Sequence, residues 1–248
     1  MRVETIGPAT LYHGDCREVL PLLTGVDIVL TDPPYGEYTH KNAKSNKPID
    51  HGYKHGVNAI DFDAISEDDF IQLCRDLCGI SRRWVLMTCD WSYMSALEQT
   101  GLLVRHGVGI KTNPMPQISG DRPCQGWEAI AMMHRPGKKH WNGGGKSSVY
   151  TMRQPSIDRV HPTQKDVSFY AELLRDFSDA GELVLDPFMG SGASGMAAIQ
   201  LGRRYVGIER DVKYFDAACR RIEDAVYQQS LLTVADVPRQ QVTQGALL

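Results

Sequence analysis

Short, almost unbroken apolar runs punctuate the chain at Val26–Leu30, Trp84–Thr88, Leu183–Leu185 and Tyr205–Ile208. A half-exposed strand alternates polar and apolar residues, whereas a strand covered on both faces does not. These runs therefore predict the centre of a mostly parallel sheet. Between them the apolar period lengthens to that of a helix. Ser66 is placed to cap one running to about Cys78, and Glu67, Asp68 and Asp69 put negative charge in its first turn, where the helix dipole favours it. Further helices are predicted over Asp166–Phe177, over Ala193–Leu201 with Gly202 as its stop, and from Val212 to about Gln228. This alternation predicts an α/β fold, doubly wound about one sheet.

Two stretches break the pattern. Tyr38–Asn58 holds four lysines, three histidines and a single acid, Asp50. Arg135–Lys165 has seven Lys or Arg against one acid, Asp158, interleaved with Trp141, Tyr150 and the run Asn142-Gly143-Gly144-Gly145. Either reads as a solvated loop or as a working insertion, and long loops in a compact domain more often carry function. The expected organisation is a single domain over residues 1–230, with a mobile basic loop at about 37–60 and an insertion at about 135–160, followed by a tail over 231–248.

Composition narrows the class. At 248 residues and 42% hydrophobic content, the chain is long enough for the core of one such domain. The net charge of −3 means that any attraction to nucleic acid has to come from local basic surface. The six cysteines form no C-x-x-C pair, which fits free thiols in a reducing compartment. Cys74 and Cys78 have no second pair to complete a tetrahedral site, so no metal is expected. The opening residues lack a signal-peptide run and no eighteen apolar residues are consecutive, giving the expectation of a soluble, cytoplasmic protein with no membrane partner.

The chemistry concentrates at two strand ends. Thr31-Asp32-Pro33-Pro34-Tyr35-Gly36 follows the first run directly, at the carboxyl edge where open α/β sheets bind ligands. The prolines hold the backbone extended, so the Asp32 carboxylate and the Pro33 carbonyl converge as rigid acceptors. An exocyclic base amine has two hydrogens to give to such a pair, and Tyr35 offers a ring to lay against the base. Two acceptors favour a pyramidal nitrogen and stabilise the positive charge that grows on it during direct methyl transfer. The second strand end, Asp186-Pro187-Phe188-Met189-Gly190-Ser191-Gly192, passes into a glycine turn and a helix, where backbone N–H groups suit an anionic part of a cofactor. Glu209 ends the next strand near the interval at which Rossmann-like folds place an acid on ribose hydroxyls.

Together, Asp32-Pro33-Pro34-Tyr35 and Asp186-Pro187-Phe188-Met189-Gly190-Ser191-Gly192 resemble the DNA amino-methyltransferase family, which methylates adenine N6 or cytosine N4. With D-P-P-Y ahead of F-x-G-x-G, the order resembles the circularly permuted beta group. The resemblance implies a Rossmann-like fold, S-adenosylmethionine as cofactor, duplex DNA as partner and often a homodimer. It implies catalytic roles for Asp32, Pro33, Pro34 and Tyr35, and cofactor contacts from Asp186, Pro187, Phe188, Gly190, Ser191 and Gly192. Tyr12-His13-Gly14-Asp15-Cys16 resembles the segment whose acid meets the cofactor's adenine, implying Asp15, and Tyr205-Val206-Gly207-Ile208-Glu209 the segment whose acid holds the ribose, implying Glu209. His161-Pro162-Thr163-Gln164-Lys165 resembles the segment beside the methionine moiety, implying that Thr163 and Lys165 meet its carboxylate. Two departures stand at helix starts: Asp166 where the family often has proline, and Ala193 where a hydroxyl residue often follows the glycines.

The Arg135–Lys165 stretch occupies the place of this group's target-recognition region. It offers phosphate contacts from Lys138, Lys139, Lys146 and Arg153, and base contacts from Arg153, Gln154 or Asn142. Lys41 and Lys44, after the catalytic segment, are candidates to close over a flipped nucleotide. Lys111-Thr112-Asn113-Pro114-Met115-Pro116 reads equally as a pocket wall or a plain turn. Three functions fit: an adenine-N6 methyltransferase, favoured because cytosine enzymes more often place Ser at the head of D-P-P-Y; a cytosine-N4 methyltransferase; or a catalytically silent DNA-binding protein, disfavoured by the intact catalytic segment. A nicotinamide dehydrogenase would leave D-P-P-Y unexplained.

Overall fold

The computed structural model describes residues 1–36, 64–114, 116–117, 120–153 and 165–235. Nine strands form one sheet: β1 (Arg2–Ile6), β2 (Ala9–His13), β3 (Ile28–Thr31), β4 (Trp84–Cys89), β5 (Leu103–Lys111), β6 (Trp127–His134), β7 (Val149–Met152), β8 (Leu183–Asp186) and β9 (Arg204–Glu209). The helices are α1 (Cys16–Val19), α2 (Glu67–Ile80), α3 (Met94–Glu98), α4 (Val167–Phe177), α5 (Ala193–Gln200) and α6 (Val212–Ala235). The strand order is β1-β2-β9-β8-β3-β4-β6-β5-β7. The pairings β2–β9, β9–β8, β8–β3, β3–β4 and β5–β7 are parallel, and the other three are antiparallel.

All four apolar runs are strands of this sheet, buried on both faces. On one side Leu30, Leu86, Val184 and Tyr205 pack under α4, α5 and α6 through Phe169, Leu174, Ala197 and Phe215. On the other, Val29, Val85, Leu185 and Ile208 pack under α1, α2 and α3 through Val19, Phe70, Leu77 and Leu97. The Ser66 hydroxyl accepts from the Asp69 N–H at 3.1 Å, so the predicted cap opens α2. Asp166 caps α4 in the same way, accepting from the Ser168 N–H at 3.0 Å. A side-chain cap of this kind lets the helix start without a proline in its first turn.

From the central pair β3 and β8 the chain winds outward in both directions, through α2 to β4 and through α5 to β9. The carboxyl ends of β3 and β8 therefore flank a topological switch point, the place where doubly wound sheets hold ligands. The ends of β2, β4, β5, β7 and β9 and the start of antiparallel β6 lie along the same edge.

Two expectations change. The supposed insertion at about 135–160 contains β7, which pairs with β5 and carries the buried Tyr150 and Met152 into the core, so it is partly scaffold. The final helix runs on to Ala235, past the start of the expected tail. Among the described residues no helix is long and apolar enough to cross a membrane, and no group of three His, Cys, Asp or Glu is placed to hold a metal. All six cysteines are free thiols.

Candidate active site

The two signature segments are hydrogen-bonded to each other. Thr31, the last residue of β3, donates its hydroxyl to Asp186 Oδ1 at 2.6 Å, across the switch point. Asp186 Oδ1 also accepts from the Phe188 N–H at 3.0 Å, and Oδ2 accepts from the Ser194 hydroxyl at 2.5 Å. Ser194 meets the Tyr205 hydroxyl at 2.9 Å, extending the chain of contacts to β9. Burial pushes the Asp186 carboxyl up to about 6, against the pull of these hydrogen bonds. In this structure Asp186 shapes the turn from inside it.

Asp32 stands beside this junction with both oxygens engaged. Thr88, near the end of β4, donates its hydroxyl to Oδ1, and the Lys165 ammonium lies 2.8 Å from Oδ2. Lys165 also lies 2.9 Å from Glu128 Oε2 and 3.4 Å from the Tyr35 hydroxyl, with its charge 5.5 Å from the Tyr35 ring centre. Glu128 in turn meets Lys111 at 2.9 Å. Burial raises the Asp32 carboxyl above its ordinary range, and Lys165 opposes that rise. Burial acts on Glu128 in the same sense, but Lys165 and Lys111 together outweigh it and hold that carboxyl at about 2. Lys165, expected beside a cofactor carboxylate, is paired here with two carboxylates of the protein.

The glycine turn has two different glycines. Gly190 has a φ of 51°, and a Cβ there would meet nothing within 4 Å, so the backbone faces open space. Gly192 has a φ of 81° and caps α5 in the left-handed region; a Cβ there would stand 3.1 Å from that of Ala218 on α6. Glu209 Oε2 accepts from the Gly190 N–H at 3.0 Å and Oε1 from the Asp211 N–H at 2.8 Å, fastening the end of β9 to the turn. The Gly14 N–H donates to the Glu209 carbonyl at 3.0 Å, which brings Asp15 to the same corner. Asp15 is occupied there: it caps α1 and pairs with Arg17 at 2.5 Å, and hydrogen bonds from Arg17 hold its carboxyl at about 2. The Ser191 hydroxyl accepts from Arg221 of α6 at 2.8 Å, which makes it a strut of the turn. Pro33 and Pro187 are buried, and Phe188 is half-buried.

The expected DNA contacts divide by sheet edge. Trp84 and His134 face each other at the amino ends of the parallel strands, so the exposed Lys138 and Lys139 leave from the edge opposite Asp32. Asn142 is anchored at the end of α4, its amide donating to the carbonyls of Arg175 and Ser178 at 3.2 and 3.1 Å. Lys146 meets Glu172 and Asp176 at 2.6 Å each, above the Tyr150 ring. Asn142 and Lys146, both expected at DNA, are thus engaged by α4. Arg153, exposed just past β7, is on the edge that carries Asp32. Thr163, Lys41, Lys44 and Gln154 lie outside the described residues. Glu128 and Thr88 had no motif to announce them, and Lys111 belonged to a segment readable as a turn.

The profile of the N6/N4 DNA methylase family matches residues 26–220. The chain belongs to this family. Its cofactor is accordingly S-adenosylmethionine and its substrate DNA. M.HinfI of Haemophilus influenzae, a type II methyltransferase, is 26% identical over 245 residues, covering 87% of this chain and 68% of its own. The fold matches M1.HpyAVI, crystallised with S-adenosylmethionine, at a TM-score of 0.63 and 23% identity over 86% of this chain and 98% of that one. It also matches the cytosine-N4-specific PvuII DNA methyltransferase at a TM-score of 0.68 and 12% identity over 90% and 92%. The site's chemistry fits the cofactor: open space before Gly190, an acid at the end of β9, and a buried carboxylate behind the turn.

Proposed function

We propose that this methyltransferase methylates N6 of adenine in duplex DNA after flipping the base from the helix. The observation that carries the reading is Asp32, a carboxylate at the switch point held from both sides by Thr88 and Lys165. S-adenosylmethionine supplies an electrophilic methyl group on a positively charged sulfur. Asp32 and the Pro33 carbonyl accept the two amine hydrogens and draw the nitrogen's lone pair out of the ring. As the new N–C bond forms, the bond from the methyl carbon to sulfur breaks, S-adenosylhomocysteine is left as the neutral thioether, and Asp32 takes the proton that leaves the nitrogen. Pro34 keeps the segment extended, and Tyr35 stacks on the flipped base. Glu209 holds the ribose and Asp15 the adenine of the cofactor. Thr163 completes the methionine end. An aspartate rather than serine at the head of the segment supports adenine over cytosine.

The deciding experiment is incubation with unmethylated duplex DNA and S-adenosylmethionine, followed by digestion to nucleosides and mass spectrometry. N6-methyladenine is the expected product. N4-methylcytosine instead would preserve the mechanism and replace the base.

Two further expectations separate neighbouring roles. Glu209→Ala weakens binding of S-adenosylhomocysteine by about 1.5–3 kcal/mol, the worth of a hydrogen bond to a charged group, as calorimetry would read it. Unchanged affinity would remove Glu209 from the cofactor site. Arg153→Ala lowers DNA affinity and flattens its dependence on log salt by about one unit. Lys146→Met leaves both unchanged and costs stability by about 1 kcal/mol. Equal losses of DNA affinity in the two variants would overturn the division by sheet edge.

A further inference from the structure

Around Asp32 stand two charged groups that this reaction does not yet use. Asp32, Lys165, Glu128 and Lys111 form a ladder of alternating charge, with contacts of 2.8, 2.9 and 2.9 Å. They come from the end of β3, the approach to α4, the start of β6 and the end of β5. None of the four side chains is more than 16% exposed. Buried ion pairs are weak contributors to stability, because desolvation offsets most of their attraction. The arrangement needs another reason.

The reaction sets Asp32 two opposed requirements. It has to be ionised to accept a hydrogen, although its burial favours the neutral acid. It also has to keep accepting power, which a lysine bound to it alone would consume. We propose that Glu128 is a positioning residue for methyl transfer: Lys165 keeps Asp32 ionised, and Glu128, by sharing that ammonium, leaves Asp32 a competent acceptor, while Lys111 sets how strongly Glu128 draws. When the target amine approaches Oδ2, the ammonium still has a carboxylate within contact distance, and it loosens from Asp32 without being left bare. The inference rests on the reading of Asp32 as the amine's acceptor.

Other titratable groups face Asp32: Tyr35 beside it, Tyr170 from α4, Cys89 from β4 and Asp186 from β8. Burial pushes both phenols up and the Cys89 thiol up to about 12, so these three stay neutral through the working range. Burial pushes the Asp186 carboxyl up to about 6, and its hydrogen-bond partners Thr31, Phe188 and Ser194 are left in place by every substitution below.

The test is the single-turnover rate of DNA methylation from pH 5 to 9, at saturating S-adenosylmethionine, with folding checked by circular dichroism. In Glu128→Gln, Lys165 turns wholly to Asp32. The acid limb is expected to move down by about one pH unit and the plateau rate to fall about ten-fold or more. In Lys111→Met, Glu128 draws harder on Lys165, and the limb moves up. Glu128→Asp returns the limb part of the way, and S-adenosylhomocysteine affinity stays within about two-fold throughout, since none of these groups serves the cofactor. Limbs that move in the same direction, or do not move, overturn the proposal; a merely structural role predicts no opposite pair. Should Glu128→Gln fail to fold, the upward shift in Lys111→Met decides alone. A wild-type protein that leaves DNA unmethylated yields no pH profile, which overturns the acceptor reading itself and is distinguishable from flat profiles in an active enzyme.

Discussion

Replacing Asp32 with alanine is expected to lower the rate of DNA methylation by at least about 10³-fold, while S-adenosylhomocysteine binding stays within a few fold. The carboxylate serves the target amine, whose lone pair is delocalised and whose positive charge in the transition state then has one acceptor fewer. The cofactor's predicted contacts come from other strand ends, at Gly190 and Glu209, so its binding is spared. The variant should also fold, because Lys165 keeps Glu128 as a partner at 2.9 Å and is not left as a bare buried charge. Single-turnover methylation and calorimetry on the same preparation check both halves. Wild-type turnover would remove Asp32 from the chemistry. Lost cofactor binding would show instead that Asp32 supports the turn that Thr31 and Asp186 hold together.

The parts of this site that were readable from the chain are those whose side chains answer to their own backbone. Asp32 and the glycine turn sit directly after strands that are buried on both faces, and such strands show as unbroken apolar runs. The five outer strands were harder to see. β1 and β7 are short and lie at the edges, β5 is broken by Gly107 and Gly109, and β6 is built from Ala and Met, residues with little preference for a sheet. Glu128 shares that obscurity: it lies at the start of β6, and only the pairing of β6 with β4 and β5 brings it to Lys165 and Lys111. Positive charge is less legible still. Lys146 sits in a basic stretch, yet its ammonium belongs to two acids of α4, and strand direction sets Lys138 and Lys139 at the far edge. Local spacing reports which groups a turn presents, while the partner of a charge is set by topology.

Asp186 should make the protein's stability depend on pH in a way that its asparagine variant does not. Its partners are neutral, two hydroxyls and an amide, so nothing in direct contact repays the loss of water around an anion. Its folded-state value of about 6 lies above the ordinary 3.8, so the folded protein binds the proton more tightly than the unfolded chain. Its contribution is therefore fully present below the unfolded value and is lost as pH rises through the folded one, by a total of about 3 kcal/mol. Urea unfolding of wild type and Asp186→Asn at pH 4.5 and pH 8 reads this contribution, since groups remote from Asp186 cancel between the two proteins and its coupling to Asp32 is a smaller effect than its burial. Whatever the variant's absolute stability, the balance is expected to move in its favour by about 2 kcal/mol over that interval, the rest of the loss falling below it. A difference that stays flat with pH would mean that the three hydrogen bonds already hold Asp186 at an ordinary value. The turn would then carry a permanent anion behind the cofactor rather than a carboxyl that ionises near neutrality.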